Sequence, residues 1–163
     1  MALLKAAAQQ AVKDLADGVV IAALVEGEHP RVSPFVVEHR TPEGTAHARE
    51  FVAADNSQSP LLRRVIESGQ TCIVNHLSAA KAPETVAPES RGFFTKVPIA
   101  SLIIAPVFEK RAMIGTFGCW REGAARPFES RDQLAVERLA RSIAPRFFGA
   151  ALRGTQTLGR GLC

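Results

Sequence analysis

The sequence predicts an α+β domain with a central, mostly antiparallel sheet. Residues 99–120 hold two β-rich segments joined by a short polar turn, which is typical of a hairpin. Apolar stripes at helical spacing occupy both ends of the chain, at residues 2–16 and from Ser130 onward. The full order is a helix, two or three strands, a helix, a strand, a long loop, the hairpin and a helix, which indicates an α+β architecture.

Length and composition are those of one globular domain. The chain has 163 residues, of which 47% are hydrophobic and 22% are charged, enough for a continuous core without disulfides. No apolar run approaches the roughly 20 residues that cross a bilayer, and the N-terminus lacks the pattern of a signal peptide. We therefore expect a cytoplasmic protein with no membrane partner.

Cysteine use and charge exclude further classes of function. Cys72, Cys119 and Cys163 form no close pair, so no disulfide framework is expected, and the first two sit in apolar runs as small core side chains. The formal charge of +4 comes from cations scattered among acids, without a nucleic-acid recognition motif. We expect no nucleic-acid partner.

The first helix, residues 2–16, carries a narrow stripe of small apolar side chains. Its members repeat at helical spacing: Leu4, Ala8, Ala11 and Leu15. Gly18 is placed to end this helix. The stripe is suited to packing on this domain or on the same helix of a second copy.

Two or three strands follow. Residues 19–25 are apolar at every position and predict a strand covered on both faces. Residues 31–39 predict a second strand. Pro34 within it indicates that the strand lies at the edge of the sheet or contains a bulge. Residues 41–44 carry a turn signal, and residues 46–53 form a weaker third strand.

A short helix then opens at Ser59, a good N-cap, with Pro60 in the first helical position. Gly69 ends it, and residues 71–74 predict a short strand. The buried face of this helix consists of Leu61, Leu62, Val65 and Ile66.

Residues 76–98, which we call the flap, are the least regular part of the chain and contain Pro83, Pro88 and Pro98. A connection this long inside a compact domain is usually functional or mobile. We expect the flap to cover one face of the sheet and the two terminal helices to cover the other.

The hairpin, residues 99–108 and 111–120, is apolar on both faces, which predicts a central position in the sheet. In the last helix, Ser130 and Gln133 have the spacing of a capping box, and Pro145 should kink or break the helix. Its apolar side comprises Leu134, Val136, Leu139, Ile143 and Phe147.

Three of these segments resemble the GAF family of ligand-sensing domains. They are the helix, glycine and strand of residues 59–75, the hairpin sequences of residues 100–108 and 113–117, and the start of the last helix at residues 127–134. The resemblance extends over about residues 55–150. It implies a GAF-like, profilin-like fold with a pocket between the sheet and its covering loops.

The resemblance also implies a regulatory role in signal transduction. Domains of this kind commonly pair through their terminal helices, so we expect a homodimer. We place one GAF-like domain at residues 1–152 and a flexible tail, rich in glycine and polar residues, at residues 153–163. The length leaves no room for an output domain, so the chain is either a stand-alone module or a fragment.

The candidate ligand-binding residues lie at the flap and at the end of the hairpin. Aromatic faces beside cations suit a ligand with a ring and a negative charge. The alternative is that the aromatic side chains fill the core and the cations are solvated. The candidates are Asn75, His76, Arg91, Phe93, Phe94, Lys96, Cys119 and Trp120.

Several ligand classes are not expected. Bilin-binding relatives attach the pigment through a cysteine in the region matching residues 85–97, which contains none here, so no covalent bilin is expected. The motif of the cyclic-nucleotide relatives and a phosphate-binding glycine loop are both missing from the sequence. A metal site is not expected, because the histidines lack paired ligand spacing. They are His29, His39, His47 and His76.

The expected function is a non-catalytic sensory module that binds an unidentified small molecule between the sheet and the flap. One alternative is a protein-interaction or dimerisation module whose pocket Phe93, Phe94 and Trp120 fill. A second is a redox enzyme of the free methionine sulfoxide reductase type. Because Cys72 and Cys119 lie on different strands, the clustered cysteines of such reductases are not evident.

Overall fold

The computed structural model describes residues 1–158, and the side chains of residues 1–147. A five-stranded antiparallel sheet forms its centre, in the order β2-β1-β5-β4-β3. The strands are β1 (Gly18–Val25), β2 (Arg31–His39), β3 (Cys72–Val74), β4 (Ile99–Glu109) and β5 (Ala112–Glu122). The helices are α1 (Ala2–Asp14), α2 (Pro42–Ala53), α3 (Pro60–Ser68), α4 (Phe93–Lys96) and α5 (Ser130–Leu158). Two short 3₁₀ helices, Ala82–Glu84 and Pro88–Ser90, lie in the flap.

Helices α1 and α5 cover one face of the sheet, as predicted. The stripe of α1 is buried at Leu4, Ala8 and Ala11 against the sheet and α5. The fully buried Phe117 and Phe147 lie in the same cluster. The terminal helices and the sheet therefore share one continuous apolar core, the main source of stability in a domain of this size.

The opposite face is covered by α2, α3 and the flap. The prediction that the flap covers the face away from the terminal helices is therefore confirmed. A separate apolar cluster fills this layer: Ala48, Leu61, Leu77, Ala82, Val86, Phe93, Phe94, Val97, Ile99, Leu102 and Trp120. The sheet thus has two buried faces, which explains why the strands of the hairpin are apolar throughout.

Residues 42–53 form helix α2, so the predicted turn at residues 41–44 and the third strand at residues 46–53 are wrong. Thr41 is the N-cap of α2, and its Oγ1 accepts a hydrogen bond of 3.0 Å from the Gly44 N–H. Pro42 occupies the first helical position. A Thr-Pro-Glu sequence favours the start of a helix as well as a turn, and in this chain it starts helix α2.

We expect Thr41→Ala to lower the free energy of unfolding by about 1 kcal/mol, because the cap of α2 is lost. In a domain of this size, that corresponds to a fall of about 2–4 °C in the melting temperature. Thermal unfolding followed by circular dichroism measures it. Thr41→Ser keeps the hydroxyl and should retain most of the stability; equal losses in the two variants would contradict the capping role.

Helix α3 follows the prediction closely. The Ser59 Oγ accepts a hydrogen bond of 3.3 Å from the Leu62 N–H, and Pro60 takes the first position. Gly69 ends the helix in a left-handed conformation with φ of 63°. The assignment of Pro34 is also confirmed: β2 is an edge strand, and its register with β1 shifts between Ile21 and Ala22.

The ends of the terminal helices differ from prediction. Helix α1 ends at Asp14, and Gly18 instead opens β1 at a point where the Trp120 ring leaves no space for a Cβ. In α5, the Asp132 carboxylate accepts a hydrogen bond of 2.8 Å from the Glu129 N–H. This bond caps the helix in place of the predicted pair Ser130 and Gln133.

Helix α5 continues through Pro145, which therefore does not break it. The buried Ile143 and Phe147 on either side of the proline hold the helix against the sheet. Leu134 is 59% exposed and does not belong to the buried face. The helix extends to Leu158, into the segment expected to be a tail, while residues 159–163, including Cys163, lie outside the described residues.

Among the described residues, no helix combines the length and the apolar character that a membrane crossing requires.

Candidate functional site

A cavity of about 100 Å³ lies between the sheet and the layer formed by α2, α3 and the flap. Its floor consists of side chains from four strands, and its roof comes from helices and the flap. The lining residues are Val20, Ala22, Val32, Pro34, Phe51, Val52, Asn56, Ser59, Leu61, Leu62, Thr85, Val86, Ala87, Ser90, Leu102, Ile104, Thr116, Gly118, Cys119 and Trp120.

Strand alternation determines which side chains of β5 belong to the floor. Thr116, Gly118 and Trp120 share one face, while Phe117 and Cys119 belong to the core beneath α1 and α5. A Cβ at Gly118 would lie 3.1 Å from the Val20 Cγ1. The glycine therefore leaves open the space between its neighbours.

The polar groups in the cavity wall are few, and several are already engaged within the protein. The Asn56 side chain donates to the Val32 carbonyl at 2.8 Å and accepts from the Val32 N–H at 2.9 Å. The Ser59 Oγ donates to the Thr85 carbonyl at 3.1 Å. Ser90 and Thr116, which are 5% and 3% exposed, add a hydroxyl from the flap and one from the sheet.

Trp120 is held at one end of the cavity by two hydrogen-bonded neighbours. Its Nε1–H donates to the Glu122 Oε1 at 2.8 Å, and the His39 Nε2 lies 2.9 Å from the same oxygen. The Thr41 N–H donates to the His39 Nδ1 at 3.0 Å, so the Nε2 carries the proton that Glu122 accepts. The two rings are stacked, with centroids 5.9 Å apart.

The role of His39 could not be found from the sequence pattern. In the sheet, Gly18 pairs with both His39 and Trp120, which brings the two rings to the same level. A Cβ at Gly18 would overlap the Trp120 ring, and a Cβ at Gly44 would overlap the His39 ring. In the sequence, only Gly18 and Gly44 indicate that the two rings need this space. Without the strand register, however, neither glycine can be connected with His39 or Trp120.

Of the predicted site residues, Trp120 lines the cavity with its ring, while Cys119 borders the cavity but has its side chain in the core beneath α1 and α5. Phe93 and Phe94 are buried next to the cavity and pack on Phe51, with ring centroids 4.5 Å and 6.3 Å from that ring. They lie outside the lining of the cavity.

The four predicted polar residues also lie outside the lining. Asn75 forms two hydrogen bonds of 3.0 Å with the main chain of Phe128. His76 is exposed and has a φ of 55°. Arg91 and Lys96 are exposed, and the Lys96 Nζ lies 3.8 Å from the Glu50 Oε2. The structure therefore does not gather them into one cluster.

Both described cysteines are free and disfavour the thiolate form. Burial raises the pKa of the Cys119 thiol far above its ordinary value, despite the nearby Arg121. Burial also raises the pKa of the Cys72 thiol, with Arg64 acting in the opposite direction. Since the thiolate is the nucleophile, neither environment activates its cysteine.

A second polar cluster fixes the start of α5 next to the end of α1. The Arg121 guanidinium bonds to the Asp132 carboxylate at 3.1 Å and to the Leu15 carbonyl at 2.8 Å, and it lies 4.1 Å above the Phe128 ring. Burial alone would raise the pKa of the Asp132 carboxyl, but hydrogen bonds from Arg126 and Arg121 hold it well below its usual value.

Comparison with known proteins identifies the family. A family model for the GAF domain matches residues 2–145. The chain is similar to the GAF domain/HD domain protein from Geobacter sulfurreducens (TM-score 0.71, 13% identity, 93% of each chain covered). It is also similar to the second GAF domain of DevS from Mycobacterium smegmatis (TM-score 0.63, 13% identity, 95% of this chain and 97% of that chain).

A third similar structure is the GAF domain of a two-component sensor histidine kinase from Bacillus halodurans (TM-score 0.61, 14% identity, 94% of this chain and 97% of that chain). No curated protein matches the chain. At these identities, the structural likeness shows the fold alone, whereas the family model matches most of the sequence. The chain therefore belongs to the GAF domain family.

Proposed function

We propose that this GAF domain is a sensory module that binds a small ligand in the cavity beneath the flap and performs no chemistry on it. GAF domains are generally sensory or regulatory. The observation that carries the proposal is the cavity itself, walled by the sheet on one side and by Thr85, Val86, Ala87 and Ser90 of the flap on the other. An apolar cavity with a few polar groups is the usual form of a small-molecule site.

A chain of hydrogen bonds connects the cavity to the terminal helices. The Glu122 carboxylate accepts from the Trp120 ring, and the Glu122 N–H donates to the Asp17 Oδ2 at 2.8 Å. The Asp17 N–H donates to the Trp120 carbonyl at 2.9 Å, just beyond the end of α1. A ligand that moves Trp120 would therefore bias the position of α1, and the signal would be a shift in populations.

The state of the cysteines supports a role without catalysis. A reductase of the sulfoxide type needs an accessible thiol with a lowered pKa, whereas burial raises the pKa of both Cys72 and Cys119. We expect purified protein to show no reduction of free methionine sulfoxide in the presence of a thiol reductant. Activity lost in Cys72→Ser or Cys119→Ser would overturn this part of the proposal.

We further propose a homodimer that forms through the terminal helices. Leu3 on α1 is 54% exposed, and Leu134 on α5 is 59% exposed. Each terminal helix therefore carries an exposed apolar side chain that is available for contact with a second copy. The cytoplasmic location expected from the sequence stays a prediction, as do the lack of membrane and nucleic-acid partners and of a covalent bilin.

Leu134→Glu is expected to shift the dimer towards the monomer, because it places charges inside the helical contact. Light scattering coupled to size-exclusion chromatography, over a range of protein concentrations, measures the dissociation constant, and we expect it to rise at least tenfold. Arg49→Glu, at an exposed position of α2 on the opposite side of the sheet, serves as the control for the change in charge. A concentration-independent mass in the parent protein would contradict the proposal.

The ligand-binding proposal is tested by filling the cavity. Ala87, buried in the flap, is 1% exposed and lines the cavity, so Ala87→Leu reduces the space for a ligand. We expect a ligand that raises the melting temperature of the parent protein to have no effect on the Ala87→Leu variant. Ala124→Leu, at an exposed loop position, is the matched control and should respond like the parent. An equal response in all three proteins would place the ligand elsewhere.

A further inference from the structure

We propose that the ligand is a small, uncharged and largely apolar molecule, no larger than one six-membered ring, with at most one or two hydroxyl or carbonyl groups. This inference rests on the proposed function and specifies the ligand class of the same cavity. It differs from the sequence-based expectation of a ligand with a negative charge.

The size of the cavity sets the first limit. Its volume is about 100 Å³, whereas an engineered apolar cavity of about 150 Å³ holds one benzene molecule. A nucleotide or a tetrapyrrole is several times larger than this space. Either would require the flap to leave the sheet, which would expose the buried Phe93 and Phe94.

The lining sets the second limit, because none of the residues that line the cavity is charged. An ionised group buried without a partner is strongly disfavoured. Arg91 and Lys96, the cations expected to attract an anionic ligand, are exposed and do not line the cavity. Among the side chains that the structure describes, the cavity wall therefore offers no countercharge to a carboxylate or a phosphate.

The polar groups of the wall set the third limit. The Asn56 and Ser59 side chains bond to the main chain, and the Thr85 Oγ1 donates to the Lys81 carbonyl at 3.4 Å. The hydroxyls of Ser90 and Thr116 form no hydrogen bond to another described residue, so they are available for one or two polar atoms of a ligand. The Phe51 and Trp120 rings provide flat apolar surfaces that suit a ring.

Titration of the full chain with matched ring compounds tests the ligand class. Cyclohexanol is the neutral probe, and cyclohexanecarboxylate and cyclohexylammonium are the charged probes at pH 7. Trp120 is the single tryptophan of the chain, so its emission reports directly on the wall of the cavity. Isothermal titration calorimetry supplies the affinity independently.

We expect cyclohexanol to change the Trp120 emission and to bind at least tenfold more tightly than either charged probe. Ala87→Leu should abolish this binding, and Ala124→Leu should not. Thr116→Val keeps the side-chain volume and removes the hydroxyl. It should therefore lower the affinity for cyclohexanol about fivefold, the effect of one hydrogen bond, and leave the affinity for methylcyclohexane unchanged. If Ala87→Leu does not fold, Leu62→Ala replaces it and should admit larger rings than the parent accepts.

The outcomes separate the two proposals. If a charged probe binds more tightly than cyclohexanol and this binding is lost in Ala87→Leu, the ligand is not neutral, but the proposed ligand-binding function is still supported. Binding of cyclohexanol that is unchanged in Ala87→Leu and in Thr116→Val would overturn this cavity as the site. If no probe of either class binds, and no compound co-purifies with the protein, both proposals fail.

Discussion

Asp132→Asn is expected to lower the free energy of unfolding by about 3 kcal/mol, the lower end of the cost of breaking a buried ion pair. The substitution leaves the Arg121 guanidinium, whose side chain is 6% exposed, without its anion. An amide also keeps only one of the two acceptor oxygens, whereas the carboxylate accepts from both arginines and, at 2.8 Å, from the Glu129 N–H at the start of α5. Urea denaturation followed by Trp120 emission measures the loss.

Arg126→Gln is the matched control. Arg126 bonds to the same carboxylate at 2.7 Å, but its side chain is 44% exposed. Removing an exposed partner should cost less than about 1 kcal/mol. A loss in Arg126→Gln as large as that in Asp132→Asn would show that the buried pair is not what fixes α5.

The same carboxylate makes stability depend on acid pH. The pKa of Asp132 in the folded protein lies below its ordinary value of 3.8, so the unfolded chain takes up the proton first as the pH falls. The stabilisation is complete above about pH 4 and is lost as the pH falls from there towards the folded-state pKa. Urea midpoints at pH 6 and pH 3 should therefore differ more for the parent than for Asp132→Asn.

Local signals were sufficient to predict most elements. Ser59, Pro60 and Gly69 define α3 through capping geometry that involves only neighbouring residues. The hairpin is likewise encoded in one continuous segment. The error at α2 shows the limit of such signals, because Thr41 and Pro42 favour a turn and a helix start alike, and the helix buries only Ala48 fully.

The site was harder to predict because it depends on contacts between distant segments. Both faces of β4 and β5 are apolar, so composition could not show which face carries the cavity. Trp120 was identified because it ends the hairpin. Phe93 and Phe94 were expected at the ligand, but Phe51 of α2, a helix missed in the sequence, packs on them beside the cavity.

The position of Trp120 depends on a residue with no side chain. Gly18 pairs with Trp120 in the sheet, and the indole ring lies across the space where a Cβ of Gly18 would be. Since the ring bonds to Glu122 and stacks on His39, it cannot move without breaking those contacts. A side chain at position 18 would therefore disturb the cavity wall and the His39 pair together.

Gly18→Ala is expected to lower the free energy of unfolding by about 3 kcal/mol, because overpacking forces the ring from its site. Gly27→Ala, in a turn with open space around the Cβ, is the control and should change stability little. The Trp120 emission should shift to longer wavelength in the folded Gly18→Ala variant as the indole gains solvent. If the emission and the urea midpoint both match those of the parent, the ring adjusts without disturbing its neighbours, and its movement cannot carry a ligand signal to Asp17 and α1.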